Sequence, residues 1–150
     1  MLEERILIDI QNLFINIRFS AWQEDDTALR NCIPLIEEKR ALVNHFSVGF
    51  QRNILAYSFD CLKDLIATNQ HNSIADFADA IHNLPEIFLW EYDLEEHRKT
   101  YIEPLRKKYG NQLFAQFVDI FKGDNTNMGF DVKKRFLSTQ VLDKKEKWVI

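Results

Sequence analysis

Apolar residues recur three and four positions apart along most of this chain, which is the spacing of one face of an α-helix. The first such segment predicts a helix from about Leu2 to Trp22, with a main stripe of Leu2, Ile6, Ile10, Leu13 and Ile17. A second stripe lies on nearly the opposite side and consists of Ile8, Ile15, Phe19 and Trp22. A helix that is apolar on two faces is expected either at the centre of a bundle or shared with another subunit. We favour the central position, and a homodimer through the first helix is the alternative.

The same spacing predicts helices along the rest of the chain, separated by short polar turns. Proline and glycine mark several boundaries, because the residue before a proline leaves the helical region and glycine readily ends a helix. The predicted features are a short helical piece after Glu24–Thr27, a helix from Pro34, a long helix over 47–68, a fourth helix capped by Asn72 or Ser73 and interrupted at Pro85, a helix broken near Pro104 with a C-cap at Gly110, a helix ending at Gly123, a loop over 124–129 and a short helix over 131–140.

The composition supports an all-α, single-domain helical bundle of five to seven helices. Twelve Phe and three Trp against four Gly and three Pro supply many bulky anchors and few turn residues. A chain of 150 residues has the usual size of one domain and can bury a substantial core. We therefore predict a bundle domain over residues 1–130, followed by a short helix and a basic C-terminal tail over 131–150. The predicted core consists of Ile6, Ile10, Leu13, Ile17, Leu55, Phe59, Leu62, Ile66, Phe77, Ile81, Phe117 and Phe121.

Charge is distributed unevenly along the chain. The net charge is −4, although residues 131–150 carry six Lys/Arg against three Asp/Glu, so the preceding residues are strongly acidic. The chain as a whole lacks the basic footprint of a dedicated nucleic-acid binder. Basic clusters at 133–135 and 144–147, next to Trp148, could hold phosphate and stack a base, but a solvated terminus is the commoner state of such a tail. The acidic body could instead attract a basic protein.

The cysteines and the apolar runs indicate a cytoplasmic protein. Cys32 and Cys61 lie far apart on predicted apolar faces, which favours buried free thiols over a disulfide and fits a reducing compartment. The N-terminal residues open directly into an amphipathic pattern without the features of a secretory signal. No apolar run approaches the length of a membrane span.

One predicted helix carries a dense polar flank, formed by side chains on one side of an ideal helix and at its margin. Its members are Asp76, Asp79, His82, Asn83 and Glu86. The spacing of Asp79 and His82 allows a hydrogen-bonded acid–base pair or two metal ligands. A metal would need more donors, which Asp60 and Asp64 on the preceding helix could supply. A solvated acidic face is the simpler interpretation of the same residues.

Pro85 adds a structural feature to this flank. Because the residue before a proline is driven out of the helical region, the helix is expected to open there and to free backbone carbonyls. The side chain of His82 or Asn83 could hydrogen-bond those carbonyls. Such a break suits a ligand site and equally a structural elbow.

The segment Ala78–Glu86 resembles one found in small, uncharacterised all-helical bacterial proteins, some of which are grouped with the immunity proteins of toxin–immunity systems. The resemblance covers less than a tenth of the chain, and no functional residue can be carried over from it. It implies a cytoplasmic, non-enzymatic protein that blocks a toxin by binding.

A second segment, Arg40–His45, resembles the motif of HEPN ribonucleases, in which an arginine and a histidine are separated by four residues. In that family the arginine would stabilise phosphate charge and the histidine would handle protons at the ribose 2′-hydroxyl. The chain departs from the family pattern at Ala41, where a polar residue is preferred, and in placing the motif early. The resemblance implies Arg40 and His45 as catalytic residues.

We interpret the sequence as a non-enzymatic interaction protein, of immunity type, whose acidic surface at Asp76, Asp79, His82, Asn83 and Glu86 binds a basic partner such as a toxin. This interpretation involves no cofactor, metal, membrane or nucleic acid. The alternative is a small helical enzyme, either the HEPN-like ribonuclease or a metal-dependent enzyme that uses carboxylates and histidine.

Overall fold

The computed structural model describes residues 2–90, 94–110 and 117. The regular structure of these residues is helical, without any strand among them, which confirms the all-α prediction. The helices are α1 (Leu2–Trp22), α2 (Asp26–Asn31), α3 (Ile33–Val43), α4 (Gly49–Ala67), α5 (His71–Ile81), α6 (Leu84–Trp90), α7 (Leu94–His97) and α8 (Glu103–Tyr109), with a π-helical turn (Arg98–Ile102) between the last two.

Two compact units make up the chain. Unit 1 comprises Met1–Asn44 and Ser58–Gly110, and unit 2 comprises His45–Tyr57 and Asn111–Ile150. Within unit 2, Arg52 donates a hydrogen bond to the Phe46 carbonyl at 2.6 Å. The predicted domain boundary after residue 130, the helix ending at Gly123, the loop over 124–129 and the tail over 131–150 lie outside the described residues.

Helix α1 has the predicted bounds and packs its main stripe against α5 and α6. Because the 3.6-residue period places every third or fourth side chain on one face, Ile6, Ile10, Leu13 and Ile17 are buried together. The other predicted core residues within the described part of the chain are also buried, namely Leu55, Phe59, Leu62, Ile66, Phe77, Ile81 and Phe117. Phe121 lies outside the described residues.

The second stripe of α1 corrects our prediction of a central helix. Ile8, Ile15, Phe19 and Trp22 are all exposed. The helices of unit 1 that pack on α1 cover its main stripe, so the opposite side remains open to solvent. Helix α1 is therefore a surface helix with an apolar outer face.

The ends of α5 and α8 show how tertiary contacts modify local signals. Helix α5 begins at His71, earlier than the predicted caps, because the Gln70 carbonyl accepts the Ile74 N–H and the His71 ring contacts Asp26 of α2. Helix α8 ends as predicted at Gly110, whose φ of 80° suits glycine. The break predicted near Pro104 takes the form of the π-helical turn, in which the Glu103 N–H donates to the Arg98 carbonyl.

Candidate functional site

The polar flank is divided between two helices. Asp76 and Asp79 lie on α5, which ends at Ile81, whereas Glu86 lies in the first turn of α6. His82 and Asn83 form the turn between them and are half-buried. The three carboxylates all reach solvent, with Asp76 and Asp79 exposing 37% and 50% of their side chains and Glu86 exposed. The three predicted acidic residues are therefore all accessible to solvent.

Asp79 forms an ion pair with α1. The Arg18 guanidinium donates a hydrogen bond to Asp79 Oδ1 at 2.9 Å, and the same guanidinium lies 4.9 Å from the centre of the Trp22 ring. Arg18 is thus shared between a carboxylate and an aromatic face. The sequence pattern did not single out Arg18, because its partner is 61 positions away.

Asp76 faces α8 instead. Its Oδ2 accepts hydrogen bonds from Lys108 at 2.7 Å and from the Tyr109 hydroxyl at 2.6 Å. Partial burial by itself would raise the pKa of Asp76, but these two hydrogen bonds and the Lys108 charge outweigh it and hold the pKa below its ordinary value. The carboxylate of Asp76 is therefore ionised and already engaged by a cation of its own chain.

Glu86, the third acidic residue of the flank, is hydrogen-bonded to an uncharged side chain. Its Oε1 accepts a 3.4 Å hydrogen bond from the Gln11 side chain of α1. Since Arg18 and Lys108 balance two of the three carboxylates, the flank presents less negative charge than its sequence indicates. Two of its three acidic residues, Asp79 and Glu86, border α1.

The turn before Pro85 shows the opening that the sequence predicts. Breaking the helix frees the carbonyls of Asp79 and Ala80, and each accepts a hydrogen bond from an imidazole. The His82 ring donates from Nδ1 to the Asp79 carbonyl at 2.8 Å, so of the two side chains expected to bond a freed carbonyl, His82 does so here. The His97 ring donates from Nε2 to the Ala80 carbonyl at 2.8 Å.

His97 is the residue of this region that the sequence did not indicate. Only 3% of it is exposed, and its Nε2 also lies 3.1 Å from Asn83 Oδ1. Burial lowers the pKa of His97 to about 4, the hydrogen bond to Ala80 opposes this shift in part, and the charge of His82 adds to it. The neutral His97 ring therefore has a structural role, because it supplies the hydrogen bond that the Ala80 carbonyl lacks where the helix breaks. The Tyr101 ring packs beside it, with ring centres 5.0 Å apart.

The donors of the predicted metal site are not assembled. Asp60 receives two hydrogen bonds from Arg40, at 2.8 and 3.0 Å, and Asp64 is exposed. Among the residues that the structure describes, no group of three or more His, Cys, Asp or Glu side chains could hold a metal ion. Asp79 is committed to Arg18 rather than to Asp60.

The residues of the ribonuclease-like motif have different environments. Arg40 lies on α3 and makes a bidentate ion pair with Asp60 of α4, a geometry that satisfies the guanidinium within the chain. Helix α3 ends at Val43, so His45 lies beyond its end and is exposed. Neither arrangement supplies a specific observation in favour of catalysis.

The outer side of α1 carries several of the exposed large apolar side chains of the described residues. We define the α1 face as Ile8, Ile15, Phe19 and Trp22, whose exposed fractions lie between 38% and 60%. Gln11 and Arg18 border this face on the side of α5 and α6, together with their partners Glu86 and Asp79. An apolar strip with a polar margin is the usual composition of a protein-binding surface.

Cys61 is expected to react slowly with alkylating reagents in the folded protein. Burial, and secondarily the charges of Asp64 and Asp60, raises its pKa to about 12. At pH 8 the thiolate fraction would be on the order of 10⁻⁴, compared with about a quarter for an ordinary cysteine. Labelling with iodoacetamide, followed by peptide mass spectrometry, should be at least roughly a hundredfold slower than in the guanidinium-unfolded chain. Equal rates would contradict this environment.

Comparison with known protein families, curated proteins and solved structures finds no match. Within residues 2–90 and 94–110, no helix has both the length and the apolar character needed to cross a membrane. The contacts and exposures of the described residues are therefore the basis on which function is inferred.

Proposed function

We propose that the protein is a non-enzymatic binding protein whose contact surface is the α1 face. The observation that carries the proposal is the exposure of four large apolar side chains along one side of a single helix. Their exposed surface amounts to roughly 400 Å², the size of the largest apolar patch on a typical monomer, and such patches are often functional. Tryptophan and phenylalanine are also residues that dominate binding energy when a partner buries them.

The margin of the α1 face supports binding of a protein rather than of a small molecule. The Arg18–Asp79 and Gln11–Glu86 pairs lie along one edge and can exclude water from an apolar centre. The Gln11–Glu86 hydrogen bond is exposed and 3.4 Å long, so a partner can replace it with an intermolecular contact at little cost. Asp79 and Glu86 would then favour a partner with basic groups at this edge.

The segment Ala78–Glu86 resembles one in small all-helical bacterial proteins, some of which are grouped with immunity proteins, and this resemblance suggests the class of protein and of partner. From it we infer a small bacterial protein of immunity type that acts in the cytoplasm and binds a basic toxin through the acidic residues Asp76, Asp79 and Glu86, the last two of which border α1. The free thiols Cys32 and Cys61 support a reducing compartment. A count of five to seven helices is supported by the described residues, in which α7, the π-helical turn and α8 follow one another without a break.

Replacing the centre of the α1 face is expected to abolish partner capture. The tagged double variant Ile15→Ser, Phe19→Ser should recover at least roughly tenfold less of the partner from a lysate of the native host than the wild-type protein does, because buried apolar anchors carry most of the affinity. Quantitative mass spectrometry of the recovered proteins measures the difference. Circular dichroism should show unchanged helical content.

Leu35→Ser is the matched control, because Leu35 of α3 is 43% exposed but lies outside the α1 face. A second variant, Asp76→Asn, Asp79→Asn, Glu86→Gln, removes the acidic charge without introducing repulsion next to Arg18. It should weaken capture less than the apolar variant does. Capture that is unchanged in the Ile15→Ser, Phe19→Ser variant would refute the proposed surface.

A further inference from the structure

The α1 face has the spacing of a helix–helix seam. Counting Asn12 with the apolar residues, the outward positions 8, 12, 15, 19 and 22 follow one another at alternating intervals of four and three residues. This is the a/d repeat through which two helices pack side by side, and a single asparagine within such a seam is common in paired helices. The face is therefore shaped to receive another helix along its length.

The side chains around the middle of this seam are amides. Asn12 and Asn16 are exposed, and Gln11 is half-buried. An amide both donates and accepts hydrogen bonds, so it can pair with an identical amide. The charged residues of α1 between positions 8 and 22 are Asp9 and Arg18, and each has an oppositely charged neighbour, Lys39 at 3.7 Å and Asp79 at 2.9 Å. The middle of the seam therefore lacks the net charge that would make two copies of it repel each other.

We propose that the occupant of the α1 face is a second copy of this chain, which makes the protein a homodimer through α1. The proposal rests on the proposed function and names the partner of the same face. A two-fold axis brings each residue near the axis against its own counterpart, which requires a self-complementary surface. Apolar side chains flanked by amides meet this requirement, whereas a basic partner would find little opposite charge at the centre.

The available area fits a dimer. The apolar side chains supply roughly 400 Å² per copy, about half of what each partner buries in a standard interface, and the amides and the polar margin add to it. Because buried area alone does not fix the affinity, the dimer is sought by sedimentation over protein concentrations from about 1 to 300 µM.

Ile15 provides the decisive test, because it is the midpoint of the face and lies seven residues from both Ile8 and Trp22. An axis through the middle therefore places it against its own copy whether the two helices run parallel or antiparallel. Ile15→Lys alone and Ile15→Glu alone should each be monomeric, with Kd raised on the order of a hundredfold by like-charge repulsion. An equimolar mixture of the two variants should restore the dimer.

Analytical ultracentrifugation measures these masses, and Leu35→Lys, outside the face, should remain dimeric. A wild-type protein that stays monomeric up to the highest concentration would overturn the proposal, as would a dimer that persists in both Ile15 variants. If the wild type is monomeric but capture of another protein still requires Ile15 and Phe19, the second-copy proposal fails and the proposed function stands. If capture is also unaffected, both fail.

Discussion

Lowering the pH from 6.5 to 4 is expected to destabilise the protein by about 3 kcal/mol through His97 alone. The ring is buried, and its pKa in the folded protein is about 4, compared with an ordinary value of 6.5. Between these pH values the unfolded chain binds a proton at His97 and the folded protein does not. The free energy of unfolding therefore falls as the pH falls through this window, and each pKa unit corresponds to about 1.4 kcal/mol.

Urea unfolding at a series of pH values between 7 and 4 measures this effect. Carboxylates such as Asp76 also contribute at the acidic end, so the comparison is with His97→Gln, whose amide can donate to the Ala80 carbonyl but does not titrate. In this variant the free energy of unfolding should depend much less on pH than it does in the wild type, whatever the absolute stability of the variant. His45→Gln is the matched control, because His45 is exposed. Identical slopes for the wild type and His97→Gln would show that His97 is not held neutral.

Phe59→Ala is expected to cost about 3–5 kcal/mol, the largest loss from a single substitution that the described core predicts. Phe59 of α4 and Phe14 of α1 are fully buried, with ring centres 5.3 Å apart and ring planes inclined at 49°. Removing one ring leaves a cavity and deprives the other ring of its tilted partner. Both residues belong to unit 1, so the loss reflects the packing of that unit.

Chemical denaturation of Phe14→Ala, Phe59→Ala and the double variant measures both the loss and the coupling between the rings. We expect a coupling of about 0.5–1.5 kcal/mol. Phe59→Leu keeps most of the volume and should cost clearly less, so it remains measurable if the alanine variant does not fold. Phe19→Ala on the α1 face is the exposed counterpart and should cost about 1 kcal/mol or less. Equal losses for Phe19→Ala and Phe59→Ala would contradict the assigned burial.

Several elements of the fold could be predicted from the sequence because their signals are local. The period of the apolar residues predicted the extent of α1 and its buried stripe, and Pro85 predicted the break between α5 and α6. The predicted start of α5 was wrong, because the hydrogen bond between His71 and Asp26 lies outside any local pattern. Local signals predict helices well where no distant side chain competes with them.

In the polar flank, the sequence did not predict which side chains would contact the acidic residues and the freed carbonyls. Asp79 and Glu86 are exposed, but the sequence could not indicate that Arg18 and Gln11 would engage them. His97 was missed for the same reason, because the carbonyl that it satisfies belongs to a residue 17 positions earlier. The packing of the helices against one another determines these partners. The periodicity of the apolar residues does not specify that packing.

The sequence by itself determined that the described residues are helical and which apolar residues share a side of each helix, because the 3.6-residue period fixes the side on which each residue lies. Only the tertiary structure decided which of the two apolar stripes of α1 would be covered. Both stripes consist of large apolar residues, but the helices of unit 1 pack on the stripe of Ile10 and leave the stripe of Ile15 in solvent. As a result, α1, which was predicted to lie at the centre of the bundle, is a surface helix and carries the candidate binding surface.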